Sequence, residues 1–211
     1  MDKWYSKYNN TWNKYKKYSN WNYKKNYNNN RYSAGILPYT YDLNGNCLVL
    51  LGKDQEGFWS DFGGRCDPND NYDQKYTAAR EFYEESLGSI LSISECIDKI
   101  NMNENKIISK TLNGSPYYMF IIYIDYYNYM ESFIKTSNFI KYQYNNENHQ
   151  LHRILEKNAL KWFNIEFLFG NFHNNHNNQN IQNNPPNSYP LRNVFLKTLE
   201  HSREQISYII K

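Results

Sequence analysis

Long apolar runs are missing from this chain. Its most apolar stretch, Pro116 to Ile124, falls far short of the roughly 20 residues that cross a bilayer, so no membrane span is expected. The N-terminus also lacks the apolar segment of a secretory signal, and an intracellular protein that is not secreted is expected. Cysteine is scarce: Cys47, Cys66 and Cys96 form an odd set without C-x-x-C spacing, which excludes a disulfide framework and a thiolate zinc site. A reducing compartment follows most simply. Aliphatic residues are absent from residues 1–31, so that segment has nothing to seed a core. The 211 residues leave room for one ordinary domain with extensions.

What the first 31 residues do hold is cation and ring. Seven lysines and Arg31 face Asp2 alone, giving this segment +7; the chain total is +3, so residues 32–211 carry −4. Trp4, Trp12, Trp21 and many tyrosines interleave with the lysines. Alternating cations and aromatic faces suit single-stranded nucleic acid, single-stranded RNA among the candidates, with phosphates on lysine and bases on rings. Compositional drift toward asparagine, lysine and tyrosine accounts for the same pattern without a partner. A second biased segment, residues 171–190, is asparagine-rich and reads as a disordered insertion. His173 and His176 lie within it at a spacing suited to a helical metal pair, but no helix is expected there to present them.

The chemistry concentrates between Gly63 and Gly88. A helix through Arg80-Glu81-Phe82-Tyr83-Glu84-Glu85 places Glu81, Glu84 and Glu85 on one surface. Such a carboxylate cluster suits a hard divalent cation with oxygen ligands, Mg²⁺ or Mn²⁺; a solvated acidic face is the alternative. Tyr76, Ala79, Phe82, Tyr83 and Leu87 form the expected apolar stripe on the other side. Thr77 and Ala78 are small enough to leave room for a ligand beside the carboxylates. Arg80, four residues before Glu84, is placed to pair with it.

Upstream, Ser33 to Tyr41 reads as a strand, Asn44-Gly45 as a hairpin turn and Cys47 to Gly52 as the returning strand. Trp59 to Arg65 reads as a third short strand ending on the Gly63-Gly64 pair. Strand, glycine pair and R-E-x-x-E-E together resemble the Nudix hydrolase family, over roughly residues 33 to 170. The resemblance implies an α/β fold, a Nudix-like α/β/α sandwich with a mixed sheet, and hydrolysis of a pyrophosphate bond in a nucleoside diphosphate linked to another group. It implies metal ligation by Glu81, Glu84, Glu85 and the Gly64 carbonyl, with Arg80 in the catalytic set and Glu81 as either ligand or general base. Glu156, six residues before Trp162, stands where similar proteins often place a late-loop carboxylate, with Glu147 as competitor and an exposed loop acid as the alternative for each. Trp59 and Arg65, flanking the glycine pair, are the candidate substrate-binding residues. The water attack on a multiply charged phosphorus that this chemistry requires is assisted by bound divalent ions.

Two positions depart from the family pattern. Tyr72 stands at the first Glu position, where Asp70 or Asp73 can substitute or the role is vacant. Leu87 stands at the terminal Gly position and the glycine follows at Gly88, which predicts a helix running slightly longer before its left-handed cap. Two other functions remain open at this stage: an RNA-cap hydrolase whose basic tail, residues 1–31, holds the transcript, and a Nudix-like binding module without catalysis. Pro116 to Ile124 is expected as a central strand, residues 89–113 as a strand or short helix, and Leu191 to Ile210 as a C-terminal helix.

Overall fold

The computed structural model describes residues 31–144, 154–170 and 189–211. All of the basic aromatic segment except Arg31, together with Glu147, His173, His176 and most of the asparagine-rich insertion, lies outside the described residues.

The chain first makes strand β1 (Ser33–Tyr41) and returns as β2 (Cys47–Asp54). Asp42 builds the turn between them, its Oδ1 accepting the Asn44 and Asn46 amides, while Gly45 supplies the left-handed residue at φ 79°. The expected single strand through Gly63-Gly64 is two strands, β3 (Trp59–Ser60) and β4 (Phe62–Arg65). The division arises because Trp59 and Ser60 pair with β2, whereas Phe62 to Arg65 pair with β1. A 3-10 turn (Pro68–Asp70) leads into helix α1 (Gln74–Glu85), followed by α2 (Ile93–Met102), β5 (Lys106–Lys110), β6 (Pro116–Tyr123), α3 (Tyr129–Gln143) and β7 (Lys157–Asn164). Helices α4 (Ile165–Gly170), α5 (Asn193–His201) and α6 (Arg203–Ile209) complete the described chain. The expected C-terminal helix is thus a pair, and residues 89–113 supply both a helix and a strand. No described helix is long and apolar enough to cross a membrane.

The sheet is mixed, in the order β3-β2-β1-β6-β5, with β4 on the first half of β1 and β7 on β2. β1 runs parallel to β6 and antiparallel to β2 and β4. Side chains alternate across a strand, so each face receives its own core. Leu37, Val49, Leu51, Met119 and Ile121 pack against Phe169 of α4, Phe195 and Leu199 of α5 and Ile206 of α6. Ala34, Ile36, Leu50, Phe120 and Ile122 pack against Ala78 and Phe82 of α1, Ile100 of α2 and Phe133 of α3. Helices on both faces of a mixed sheet make this an α/β fold of α/β/α layering. Phe82 anchors α1: fully buried, it meets Phe62 edge to face at 5.0 Å, and truncation there would cost about 3–5 kcal/mol.

Tyr189 and Pro190, expected within the insertion, belong to the folded part. The Tyr189 ring packs on Trp59 and Phe163, and the Trp59 amide donates to the Pro190 carbonyl at 2.8 Å.

Candidate active site on helix α1

Each member of the glycine pair makes room for a different side chain. β4 lies against β1 with Gly63 opposite Gly35 and Gly64 opposite Ala34. A methyl on Gly63 or Gly35 would overlap the Tyr117 hydroxyl, which passes between them to donate to Asp61 Oδ2. A methyl on Gly64 would fall on the Glu81 carboxylate. The strand can therefore carry helix α1 close enough for Glu81 to sit against the backbone at Gly64.

Helix α1 begins at Asp73, whose side chain accepts the Lys75 and Tyr76 amides. Asp73 is therefore a cap, whereas Asp70 faces Arg80. Asp70 is buried and receives the Arg80 fork at both oxygens, Nε to Oδ1 at 2.8 Å and Nη2 to Oδ2 at 3.0 Å. Tyr72 itself is exposed and left-handed, at φ 58°. The remaining edge of the guanidinium meets Glu84 Oε2 and Glu81 Oε1, each at 2.9 Å from Nη1, while Nη2 also donates to the Arg65 carbonyl at 3.0 Å. A planar fork serves all of these acceptors at once, which a lysine ammonium could not. The Arg80–Glu84 pair is the one expected from their spacing.

Glu85 departs from the expected polar face. It is buried together with Thr77, Ala78, Ala79 and Phe82, so the inward stripe of α1 runs through it while Tyr76 and Tyr83 are only half-buried. Thr77 and Ala78 consequently leave no room for a ligand: Thr77 is bonded to Asp70 and Tyr32 within the core. Glu85 Oε2 accepts the Gly63 amide at 2.9 Å, and Oε1 lies 3.4 Å from the Lys157 ammonium, itself buried. Lys157 also donates to Ser60 Oγ at 2.8 Å.

The expected cap is corrected as well. The helix ends at Glu85, and the left-handed turn starts on Leu87, at φ 56°, with Gly88 following at φ 62°. Leu87 N donates to the Glu84 carbonyl and Gly88 N to that of Tyr83, the pairing of a Schellman cap. A left-handed leucine costs about 1–2 kcal/mol, offset here by packing of its side chain on the α1 core.

Burial and mutual repulsion raise the proton affinity of the carboxylates. Glu81 is pushed up to about 7 by burial, against the pull of Arg80 and with the push of Glu84 and Glu156. Burial also raises Glu85, opposed by Lys157 and reinforced by Glu81 and Glu156. Glu84 is raised by burial against Arg80. Glu156, exposed just before β7, thus lies within electrostatic reach of all three glutamates. Oxygen-only donors suit a hard divalent cation. Yet among the described residues no three carboxylate, histidine or cysteine side chains converge to hold a metal ion: Glu81 and Glu84 share Arg80 Nη1, while Glu85 turns inward to Lys157.

Of the two candidate substrate residues, Arg65 is exposed and its side chain is open to solvent beside the glycine pair. Trp59 is corrected: its ring is buried edge to face against Phe163, 5.0 Å between centroids, and offers no free face. Trp162, partly buried against the α1-side core, stacks on exposed Tyr126 at 5.8 Å.

No family model and no curated protein matches the sequence. Among solved structures, the chain is similar to a Nudix hydrolase from M. smegmatis, RenU, at 13% identity over 85% of this chain and 88% of that one, with a TM-score of 0.44. It is also similar to an Ap4A hydrolase from C. elegans, at 18% identity over 64% and 80% of the two chains and a TM-score of 0.37. A MutT protein from Methanosarcina mazei Go1 is similar at 14% identity over 83% and 94%, with a TM-score of 0.38.

Proposed function

We propose that this protein is a metal-dependent hydrolase that cleaves a pyrophosphate bond in a nucleoside diphosphate linked to another moiety. The observation that carries the reading is the arrangement at Gly64, where a strand without a side chain admits Glu81 and an arginine clamp holds Glu81 and Glu84 side by side. The R-E-x-x-E-E residues that carry the resemblance are thereby all committed to one locus. Glu81, Glu84, Glu85 and the Gly64 carbonyl are the groups that would hold Mg²⁺ or Mn²⁺, and a bound ion would supply charge neutralisation and water activation.

The chain's own residues divide the remaining work. Arg80 is wholly engaged by Asp70, the glutamates and the Arg65 carbonyl, so its part is to position carboxylates. Glu84 and Glu156 are the exposed carboxylates of the set and the ones a water can reach, while Arg65 is the exposed cation for substrate phosphate. The Arg80–Asp70 pair supports reading Asp70 as the stand-in for the first Glu position that Tyr72 occupies, and on that reading catalysis is favoured over an inactive binding module.

The test is a screen of the purified chain with Mg²⁺ or Mn²⁺ against nucleotide sugars, dinucleoside polyphosphates, oxidised nucleotides and capped RNA. Turnover of at least one is expected, falling at least about tenfold, or 1.4 kcal/mol in barrier, in Glu84→Gln and in Glu85→Gln. Parental rates in both variants would remove the assignment.

A further inference from the structure

The Lys157 side chain is buried within the fold, and three separate features bring its ammonium to Glu85. The first is a bulge in the β2–β7 ladder: Lys53 pairs with Ala159 and Asp54 with Lys157, leaving Asn158 as an extra residue. Without it, alternation would put Asn158 on the α1 face and turn Lys157 to the other side. The second is Gly52, where a methyl would stand 2.9 Å from Lys157 Cδ and 3.0 Å from Cγ, so the missing side chain is the channel for the lysine stem. The third is the acceptor set at its end: Ser60 Oγ at 2.8 Å, the Asp61 carbonyl at 3.3 Å and Glu85 Oε1 at 3.4 Å. With Gly63 N on the other oxygen, both oxygens of Glu85 are engaged by the protein itself.

We propose that Lys157 is a resident counter-cation for Glu85, a positioning residue that neutralises and aims this carboxylate from inside the fold and against whose charge a divalent ion must bind. The inference rests on the metal-dependent reading above. It explains why the glutamates of α1 do not converge as a cage: one of them is already matched with a cation. Lys157 thereby sets the affinity of the carboxylate group for metal, holding it weaker than the same carboxylates would give alone.

Mn²⁺ titration of the full chain, read by binding and by Tm, tests this on the parent, Lys157→Met and Gly52→Ala. Lys157→Met should melt lower than the parent without metal, bind Mn²⁺ about tenfold more tightly and gain more in Tm from Mn²⁺, because a fixed positive charge is gone. Gly52→Ala, which pushes the lysine stem aside, should shift affinity the same way by a smaller factor. A lysine that only fills space would leave Mn²⁺ affinity unchanged or weaken it on removal. Equal or weaker binding in both variants overturns the proposal, as does a Lys157→Met chain that stays unfolded in saturating Mn²⁺ while Gly52→Ala binds like the parent. Failure of the underlying reading looks different: the parent turns over no pyrophosphate substrate, whatever the order of Mn²⁺ affinities.

Discussion

Glu84 and Glu85 are neighbours in the chain and live in opposite surroundings. Glu84 stands at the rim with its side chain 56% exposed, held by one branch of an arginine fork that also grips Asp70 and Glu81. Glu85 is 4% exposed and held by a buried lysine and a backbone amide. The rim charge is fixed by geometry, since a planar guanidinium dictates where its acceptors lie, and water still reaches it. The interior charge is fixed by compensation, since an unmatched carboxylate there would carry the full cost of desolvation. Two adjacent glutamates can therefore serve one chemistry while differing sharply in what the fold loses when each is changed.

The comparison breaks most easily at Lys157. Its replacement by methionine leaves Glu85 buried and unmatched, and denaturant unfolding should show a loss of about 3–5 kcal/mol in metal-free protein. A loss under about 1 kcal/mol would mean that the interior pair is not compensating anything. Arg80→Lys should come next, because an ammonium cannot bind both oxygens of Asp70 and two glutamates together; about 1.5–3 kcal/mol is expected from the weakened charged hydrogen bonds. Full retention of stability would show that the fork geometry is dispensable.

Acid titration sharpens the arginine's side of the comparison further. Burial works to raise the Asp70 carboxyl, but hydrogen bonds from Arg80, the Asp67 amide and Thr77 outweigh it and hold the group below its ordinary 3.8. The stability it contributes is present above that value and lost as pH falls through the lower folded value. Asp70→Asn should therefore flatten the fall of stability below about pH 4, and an unchanged acid limb would exclude this role. Smallest of all should be the stability effect of Glu84→Gln, within about 0.5 kcal/mol for an exposed pair. Its turnover nonetheless falls in the proposed reaction, so a large loss of stability with normal turnover would invert the comparison.

Much of this was legible in sequence, and the illegible part has a common cause. The glutamate helix, the Asn44-Gly45 hairpin, the Gly63-Gly64 pair and the Arg80–Glu84 spacing are local patterns, readable within a few residues. Lys157 carries no such mark: a lysine between Glu156 and Asn158 looks like surface until the bulge opposite Asp54 turns it inward. Nothing local marks Glu85 as interior, because its partner Lys157 lies 72 positions further along the chain. Asp70 and Asp73 could not be told apart by distance from Arg80, because one is a helix cap and the other a buried acceptor. Trp59 sat beside the glycine pair in sequence but faces Phe163 across the sheet. Helix α3 leaves a weak mark in the sequence, because only Phe133 and Ser137 of its fifteen residues are buried.

The strap at Tyr189 to Arg192 has a consequence for the two-residue strand β3. The Trp59 amide and carbonyl bond Pro190 and Arg192, and Trp59 pairs in parallel with Leu191. β2 already takes the other side of Trp59 and Ser60. A strand at that margin would otherwise offer its backbone amide and carbonyl to any passing chain as a template for pairing; here four residues of the same molecule occupy them first.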